Sequence, residues 1–476
     1  MENKNYDLVL IGAGIMSATL AALIRELHPS LKILLVEKLS EPALESSGSL
    51  NNAGTGHAGF CELNYTPMVN DTIDIHKAIE VNESYKKSKQ FWAYLVSKGY
   101  IDNSFITRVP HISFVTGKEN CFFLEKRWEA LKSHHMFDDM LFTTDIEIIA
   151  KWAPLLIQGR DPKIPVAATK MNRGTDVDFG NLTKQLIKHV GQSCDIRFNT
   201  FVKDIKRVGN IWQVILNDDS IITTSKVFDG AGGNAIHLLQ QAKIPEIQGY
   251  GGFPVSGEWL VCDNPNVVNR HNSKVYGIPP VGGPPMSAPH MDIRKINGKK
   301  MILFGPYAGF SMKFLKTGKW TDLLKSINFT NIGPMIKAGI FNLELVKYLI
   351  KEVFKPRRSR LKILREYFPN ANPNDWKKAV GGQRVQIIRI KDGKAIIEFG
   401  TEVVGSQDGT MVGLLGASPG ASTSVSIMLD VINKMYKNEL EKNISDIIPS
   451  VENKLQDDKE FFKKIESETS KILGLV

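Results

Sequence analysis

Apolar positions at the start of the chain fall into two short unbroken runs separated by a helical stretch. Residues 6–11 are apolar apart from Asp7 and stop at Gly12, which predicts a short strand buried on both faces. Residues 16–27 predict a helix that His28-Pro29 closes. Residues 32–37, KILLVE, predict a second apolar strand. Strand, glycine turn, helix, strand is the opening of a doubly wound fold. Residues 51–64 are glycine-rich and polar, hence a loop. Helical periodicity runs over 72–99 with Gly99 as its stop, and over 178–190 with Asp178 as a cap. Between them, 112–132 reads as a strand followed by a helix.

Residues 196–225 alternate as strands around a turn at Asn217-Asp218-Asp219. An apolar strand at 226–229 leads into Gly230-Ala231-Gly232-Gly233. Proline- and glycine-rich connections and strands follow to about 310. The stretch 320–368 is mainly helical and basic, and 376–400 is strand-like. A glycine-rich loop, a helix near 424–437 and a charged tail helix from about 449 end the chain. This order predicts an α/β fold. A Rossmann-like dinucleotide-binding domain is assembled from residues 1–75, 170–245 and 380–440. An inserted α+β substrate domain on a mainly antiparallel sheet takes 76–169 and 246–379, and 441–476 form a helical tail.

The length, 476 residues, exceeds what one compact core accommodates and supports two domains. No repeat at solenoid or propeller period is present. The net charge of +10 favours anionic partners: acidic substrates, an anionic membrane surface or nucleic acid. Nucleic acid lacks support, because basic residues are not interleaved with aromatics and no recognised motif is present. The four cysteines, Cys61, Cys121, Cys194 and Cys262, form no C-x-x-C pair. That argues against zinc, iron–sulfur clusters and a secreted disulfide framework, and for a reducing compartment. Residues 8–24 and 409–429 are uncharged, but the first lacks a signal peptide's basic start and the second is rich in Gly, Ser and Thr. Any membrane attachment is therefore expected to be peripheral.

The chemistry starts at Gly12-Ala13-Gly14-Ile15-Met16-Ser17. Gly12 permits the tight turn, and Gly14 lets the backbone approach a pyrophosphate at the helix N-terminus. Ser17 stands where the fingerprint has Gly or Ala, and is small enough for close helix–strand packing. Glu37 ends the second strand at the spacing expected for an acid that binds ribose hydroxyls. A second glycine turn at Gly232 and a late loop, Gly413 to Gly420 with Gly416 and Pro419, precede helices. A flavin enzyme uses such a late loop to aim a helix N-terminus at the part of the ring that gains negative charge on reduction.

Longer motifs carry a family resemblance. Glu45-Ser46-Ser47, Asn51-Asn52-Ala53-Gly54-Thr55-Gly56-His57, Cys61-Glu62-Leu63-Asn64-Tyr65-Thr66-Pro67, Pro284 to Asp292, Leu303 to Phe310, Gly382 to Ile388 and the late glycine loop resemble malate:quinone oxidoreductase. The wider group is the D-amino-acid-oxidase-like flavoproteins. The resemblance implies noncovalent FAD, with Ser47, Asn52 and Gly54 beside it. It also implies an (S)-malate substrate, a quinone acceptor and peripheral attachment to the inner face of a bacterial cytoplasmic membrane. An FAD enzyme acting on another 2-hydroxy acid such as L-2-hydroxyglutarate, or using oxygen as acceptor, is the alternative.

Oxidising an alcohol on flavin needs a base for the hydroxyl proton and cations that hold the carboxylates in reacting geometry. His57, in the glycine loop, and His290, after the proline-rich turn, are both candidate bases. Arg384 is the candidate carboxylate grip, since a guanidinium binds a carboxylate through two parallel bonds. Arg294 is a candidate for malate's second carboxylate, and Tyr307, Gln383 and Tyr65 are further polar candidates. The basic stretch 347–365, with apolar Leu345, Val346, Leu349 and Ile350, is a candidate membrane-facing segment, and the tail helix over 461–476 is another.

Overall fold

A computed structural model describes residues 4–279, 287–398, 400–416, 420–437, 439–440 and 442–476. Pro284, Pro285, Met286 and Pro419, singled out above, lie outside them, as do the side chains of Leu345, Val346, Leu349 and Ile350.

The first sheet has a parallel half in the order Asp195–Arg197, Ile33–Val36, Lys4–Ile11 and Ile221–Asp229. Met411–Gly416 adds in parallel to the end of Ile221–Asp229, which is one continuous strand rather than two. The start of that strand pairs instead with the antiparallel ribbon Ile211–Leu216 and Val202–Val208. Both faces of the parallel half are buried, as its unbroken apolar runs predict. Leu8, Leu10, Ile33 and Leu35 pack into one core with the helices Ile15–Leu27, Phe179–Val190 and Ser424–Tyr436. The alternate residues Val9, Ile11, Leu34 and Val36 enter a second core with the helix Ala235–Ala242. Asp178 caps the helix Phe179–Val190 by accepting from the Asn181 N–H, as expected.

The second sheet has nine strands. It runs Lys394–Glu398, Lys377–Lys391, Gly251–Cys262, Lys299–Phe310, His290–Ile296, Lys274–Tyr276, His111–Thr116, Val166–Met171 and Leu141–Thr143. Every pair is antiparallel except Lys274–Tyr276 with His111–Thr116. The strands of 377–398 thus hydrogen-bond into this sheet, although sequence order places them with the late piece of the first domain. Along His290–Ile296 the apolar Met291 and Ile293 enter the core beneath the helices Ile146–Trp152 and Arg357–Tyr367. The intervening His290, Asp292 and Arg294 point to the opposite face. Lys274 and Tyr276 share that face, flanking Val275, which lies in the core. This polar face is itself buried.

The tail differs from expectation. Pro449–Val451 is only a single short turn, and the last helix begins at Lys459 and ends at Ile472. Its apolar residues Phe462 and Ile465 are in the main core, so it offers no apolar face to a membrane. Glu466 locks it to the helix His76–Ser97 through Lys86 at 2.5 Å and Lys89 at 3.0 Å. Burial opposes ionisation of Glu466, but these ammonium groups prevail and hold its carboxyl far below the ordinary value. The carboxylate's contribution to stability is present above pH 4.5 and drains away as acid protonates it in the folded state, while burial draws its partner Lys86 down to about 7. Glu466→Gln is therefore expected to lower unfolding free energy by about 3 kcal/mol at neutral pH. In urea titrations the gap from the parent should close as pH falls below the ordinary carboxylate range.

Candidate active site

One cavity of about 1240 Å³ runs from the first glycine turn to the buried polar face of the second sheet. Ordinary small-molecule sites occupy about 300–1,000 Å³. At one end lie Gly12, Gly14, Glu37 and Ser47. Gly12 has φ +89°, and a Cβ there would sit 2.8 Å from the Gly230 carbonyl oxygen. The helix Ile15–Leu27 starts at Gly14 with no side-chain cap from that residue and no acid in its first turn. The Ile15 N–H donates to Ser47 Oγ at 2.9 Å. The Glu37 carboxylate accepts from Ala13 N–H at 2.6 Å and Leu39 N–H at 2.8 Å, which fixes it at the cavity wall. Gly232, Gly416 and Gly420 also line the cavity. This helix N-terminus without an acid in its first turn, with an anchored acid one strand away, fits a dinucleotide.

At the other end stand His57, Tyr276, His290, Gln383 and Arg384. The Tyr276 ring lies parallel to His290, with centroids 4.3 Å apart, and edge-on to His57 at 6.5 Å. Its hydroxyl shares a 2.8 Å hydrogen bond with Thr55. Each histidine is paired through Nδ1 with a buried carboxylate: His57 with Glu62, and His290 with Asp292 at 2.5 Å. An ionised carboxylate cannot donate, so Nδ1 carries the proton in both rings. Nε2 has no hydrogen-bond partner in either ring among the described residues.

The two carboxylates differ in their surroundings. Burial pushes Glu62 up, but the His57 imidazole overcomes this and holds it at about 2. Nearby His111 is driven down to about 4 by burial, and so adds little charge. Asp292 is also pushed up by burial and brought below its ordinary value by His290, then by Lys274 and Arg294. Its negative charge is thus shared with two permanent cations.

Arg384 is half-buried at the cavity wall, and burial draws its guanidinium below the ordinary value. It has no carboxylate partner among the described residues, so it presents an unspent positive charge to the cavity. Gln383 is buried with its Oε1 unpartnered. Asn52 is tied back by its side chain, donating to the Ser46 and Gly48 carbonyls, and its Oδ1 accepts from Gly54 N–H at 3.0 Å. Tyr65 lines the cavity as well.

Three expected site residues are not in the cavity lining. Ser17 is buried at the helix–strand contact, with its hydroxyl 3.5 Å from the Ile11 carbonyl, where it leaves Gly230 no room for a side chain. Tyr307 sits in the core of the second sheet and donates to the Arg360 carbonyl at 2.9 Å. Arg294 is fully buried, paired with Asp176 at 2.9 Å, and its Nη1 and Nη2 each donate one bond, to the carbonyls of Asn52 and Val177. It holds the 52–54 turn in place rather than gripping a substrate carboxylate, and its guanidinium fills the space that a Cβ at Gly54 would need. Tyr276, Lys274 and Asp176 were not singled out from sequence, and Glu62 and Asp292 entered only as members of the resemblance motifs, with no role of their own. The alternation His290-Met291-Asp292-Ile293-Arg294 is a second signal for Asp292, and Tyr276 had none.

The family model for malate:quinone oxidoreductase (Mqo) matches residues 4–475. The chain belongs to this family. A "Probable malate:quinone oxidoreductase" of Flavobacterium psychrophilum is 49% identical, covering 98% of both chains. One of the same name from Oceanobacillus iheyensis is also 49% identical, covering 100% of this chain and 98% of its own. Among solved structures, FAD-bound L-α-glycerophosphate oxidase of Mycoplasma pneumoniae superposes with a TM-score of 0.60 at 18% identity, covering 93% of this chain and 97% of its own. Glycine oxidase of Bacillus cereus gives 0.58 at 15% identity, covering 93% and 97%. These likenesses establish the fold as that of FAD-dependent oxidoreductases. The family is FAD-dependent, and the glycine turn, the helix end at Gly14 and the anchored Glu37 are the parts of this chain that would hold FAD. Gly12→Val should weaken FAD binding at least about tenfold, through strain of ~1.4 kcal/mol or more. The ratio of flavin to protein absorbance after purification, followed by FAD titration, measures it.

Proposed function

We infer that this enzyme oxidises (S)-malate to oxaloacetate on FAD and passes the electrons to a quinone. The observation that carries this reading is the match to one family across nearly the whole chain, joined to a cavity with a dinucleotide cradle at one end and an unpaired cation beside imidazoles at the other. Bound FAD would accept the hydride from the carbinol carbon. Arg384 holds a malate carboxylate, with two N–H groups available for parallel bonds.

His57 is assigned as the base that takes the hydroxyl proton at Nε2. Glu62 lies beside it with a full negative charge, which stabilises the imidazolium that forms. His290 is less suited, because Lys274 and Arg294 draw on the charge of Asp292. His290 instead stacks on Tyr276 and fixes the wall opposite. The domain division expected from sequence is retained in this reading, with the strands of 377–398 assigned to the substrate sheet. Peripheral association with the inner face of an anionic cytoplasmic membrane also belongs to it. The net charge of +10 supports that, and among the described residues no helix is long and apolar enough to cross a membrane.

Anaerobic addition of (S)-malate should bleach the oxidised-flavin band, and a quinone should restore it. A band unmoved by malate but bleached by L-2-hydroxyglutarate would shift the substrate. Arg384→Met should raise KM for malate about 10- to 100-fold, the worth of a charged hydrogen-bonded contact, with Arg384→Lys intermediate. His57→Gln should lower the rate of flavin reduction by about 10²-fold or more, and His290→Gln by clearly less. The reverse order in stopped-flow traces would move the base to His290.

A further inference from the structure

Large apolar side chains are concentrated on the surface of one stretch, 320–354. Trp320, Leu324, Ile336, Phe341 and Phe354 are more than half exposed, and Phe329 is wholly so. The helix Ile332–Phe341 organises them. Pro334 and Ala338 form its inner face, with Ala338 packed beside Ile388 and Ala395 of the second sheet. Ile332, Ile336 and Ile340 recur every four residues on the outer face, and all three are exposed. A helix that is apolar on both sides is stable only where the outer side also leaves water.

The surrounding charge says what covers it. From Lys313 to Arg365 the sequence has thirteen lysines and arginines against three acids, Asp322, Glu344 and Glu352. An apolar ridge within a basic field matches the boundary of an anionic bilayer, where hydrocarbon accepts the side chains and headgroups meet the cations. The same segment reaches the cavity. Leu315, Thr317 and Lys319 line it, and Glu45 fixes this rim by accepting from the Lys316 and Thr317 N–H groups at 2.8 and 2.9 Å.

We propose that the outer face of the helix Ile332–Phe341, with Phe329, is seated in an anionic lipid surface, and that a lipid-soluble quinone enters the cavity past the 315–319 rim directly from that surface. This rests on the malate–quinone reading and adds where the bilayer meets the protein. It places the contact upstream of the more polar stretch 347–365 that the sequence suggests.

The test is co-sedimentation of the FAD-loaded full chain with vesicles of phosphatidylglycerol and phosphatidylcholine, alongside vesicles of phosphatidylcholine alone. The anionic vesicles should bind it, and high salt should weaken that binding. The double variant Ile336→Glu/Ile340→Glu should partition at least about tenfold less, as should Phe329→Glu with Ile332→Glu. Both variants should keep the parental melting temperature and the parental malate-dependent reduction of a water-soluble dye. Reduction of a long-tailed quinone embedded in the vesicles should fall with binding. Undiminished vesicle binding by both variants would overturn the proposal. So would a parent that ignores anionic vesicles and forms a dimer, seen by sedimentation velocity, which the variants dissociate. Failure of malate to reduce dye or flavin would sink the substrate reading while leaving the vesicle result to decide the docking face.

Discussion

A single buried carboxylate, Asp176, governs the geometry of the site. A charge with no access to water must be paired, and Asp176 is paired twice, with Lys274 and Arg294, each at 2.9 Å. Both cations project from the second sheet, and each also donates to one loop: Lys274 to the Ala53 carbonyl and Arg294 to that of Asn52. The backbone of the loop is fastened to the same strand, through Val177 N–H to Gly54 and Gly56 N–H to Thr175. The 51–57 loop is therefore clamped between the second sheet and the short strand Thr175–Val177, which pairs with Ile106–Arg108. His57 emerges from it at a fixed place, opposite His290.

That clamp explains why two arginines of the same sheet have different roles. Arg294 meets a protein carboxylate and is neutralised, so its effect is positional. Arg384 meets none among the described residues, and its charge remains for a ligand. The same distinction separates the histidines. Each has a carboxylate at Nδ1, but His57 is the first group holding Glu62 down, with Cys61 N–H and the charge of Arg127 also upon it, while Asp292 is held down by His290, Lys274 and Arg294. Local charge balance, more than residue type, separates the polar groups that the protein itself neutralises from those left open to the cavity.

Much of the fold was legible along the chain. The first strands are short apolar runs buried on both faces, and no surface strand tolerates such a composition. Gly12, Gly14 and Glu37 reveal the cradle because phosphate approach and ribose contact require those residue types at that spacing. The tail was misread at its start, since the charged residues after Pro449 carry no period that separates a turn from a helix. The continuity of Ile221–Asp229 was also missed, because the strand changes partners midway and its polar start resembles a separate ribbon strand.

By itself, the sequence determined the dinucleotide cradle, the order of strands and helices, and the family, since these depend on short-range spacing and on long specific motifs. Only the tertiary structure decided what the polar half of each alternating strand does. His290, Asp292 and Arg294 alternate with Met291 and Ile293 as they would on a strand with one solvated face. Packing of the 51–62 segment over that face removes the water, and the polar residues must then pair with one another. Which partner Arg294 and Lys274 take, Asp176 and the loop at Asn52–Ala53, is settled by contacts between segments that lie far apart in the chain, a property that no local pattern records.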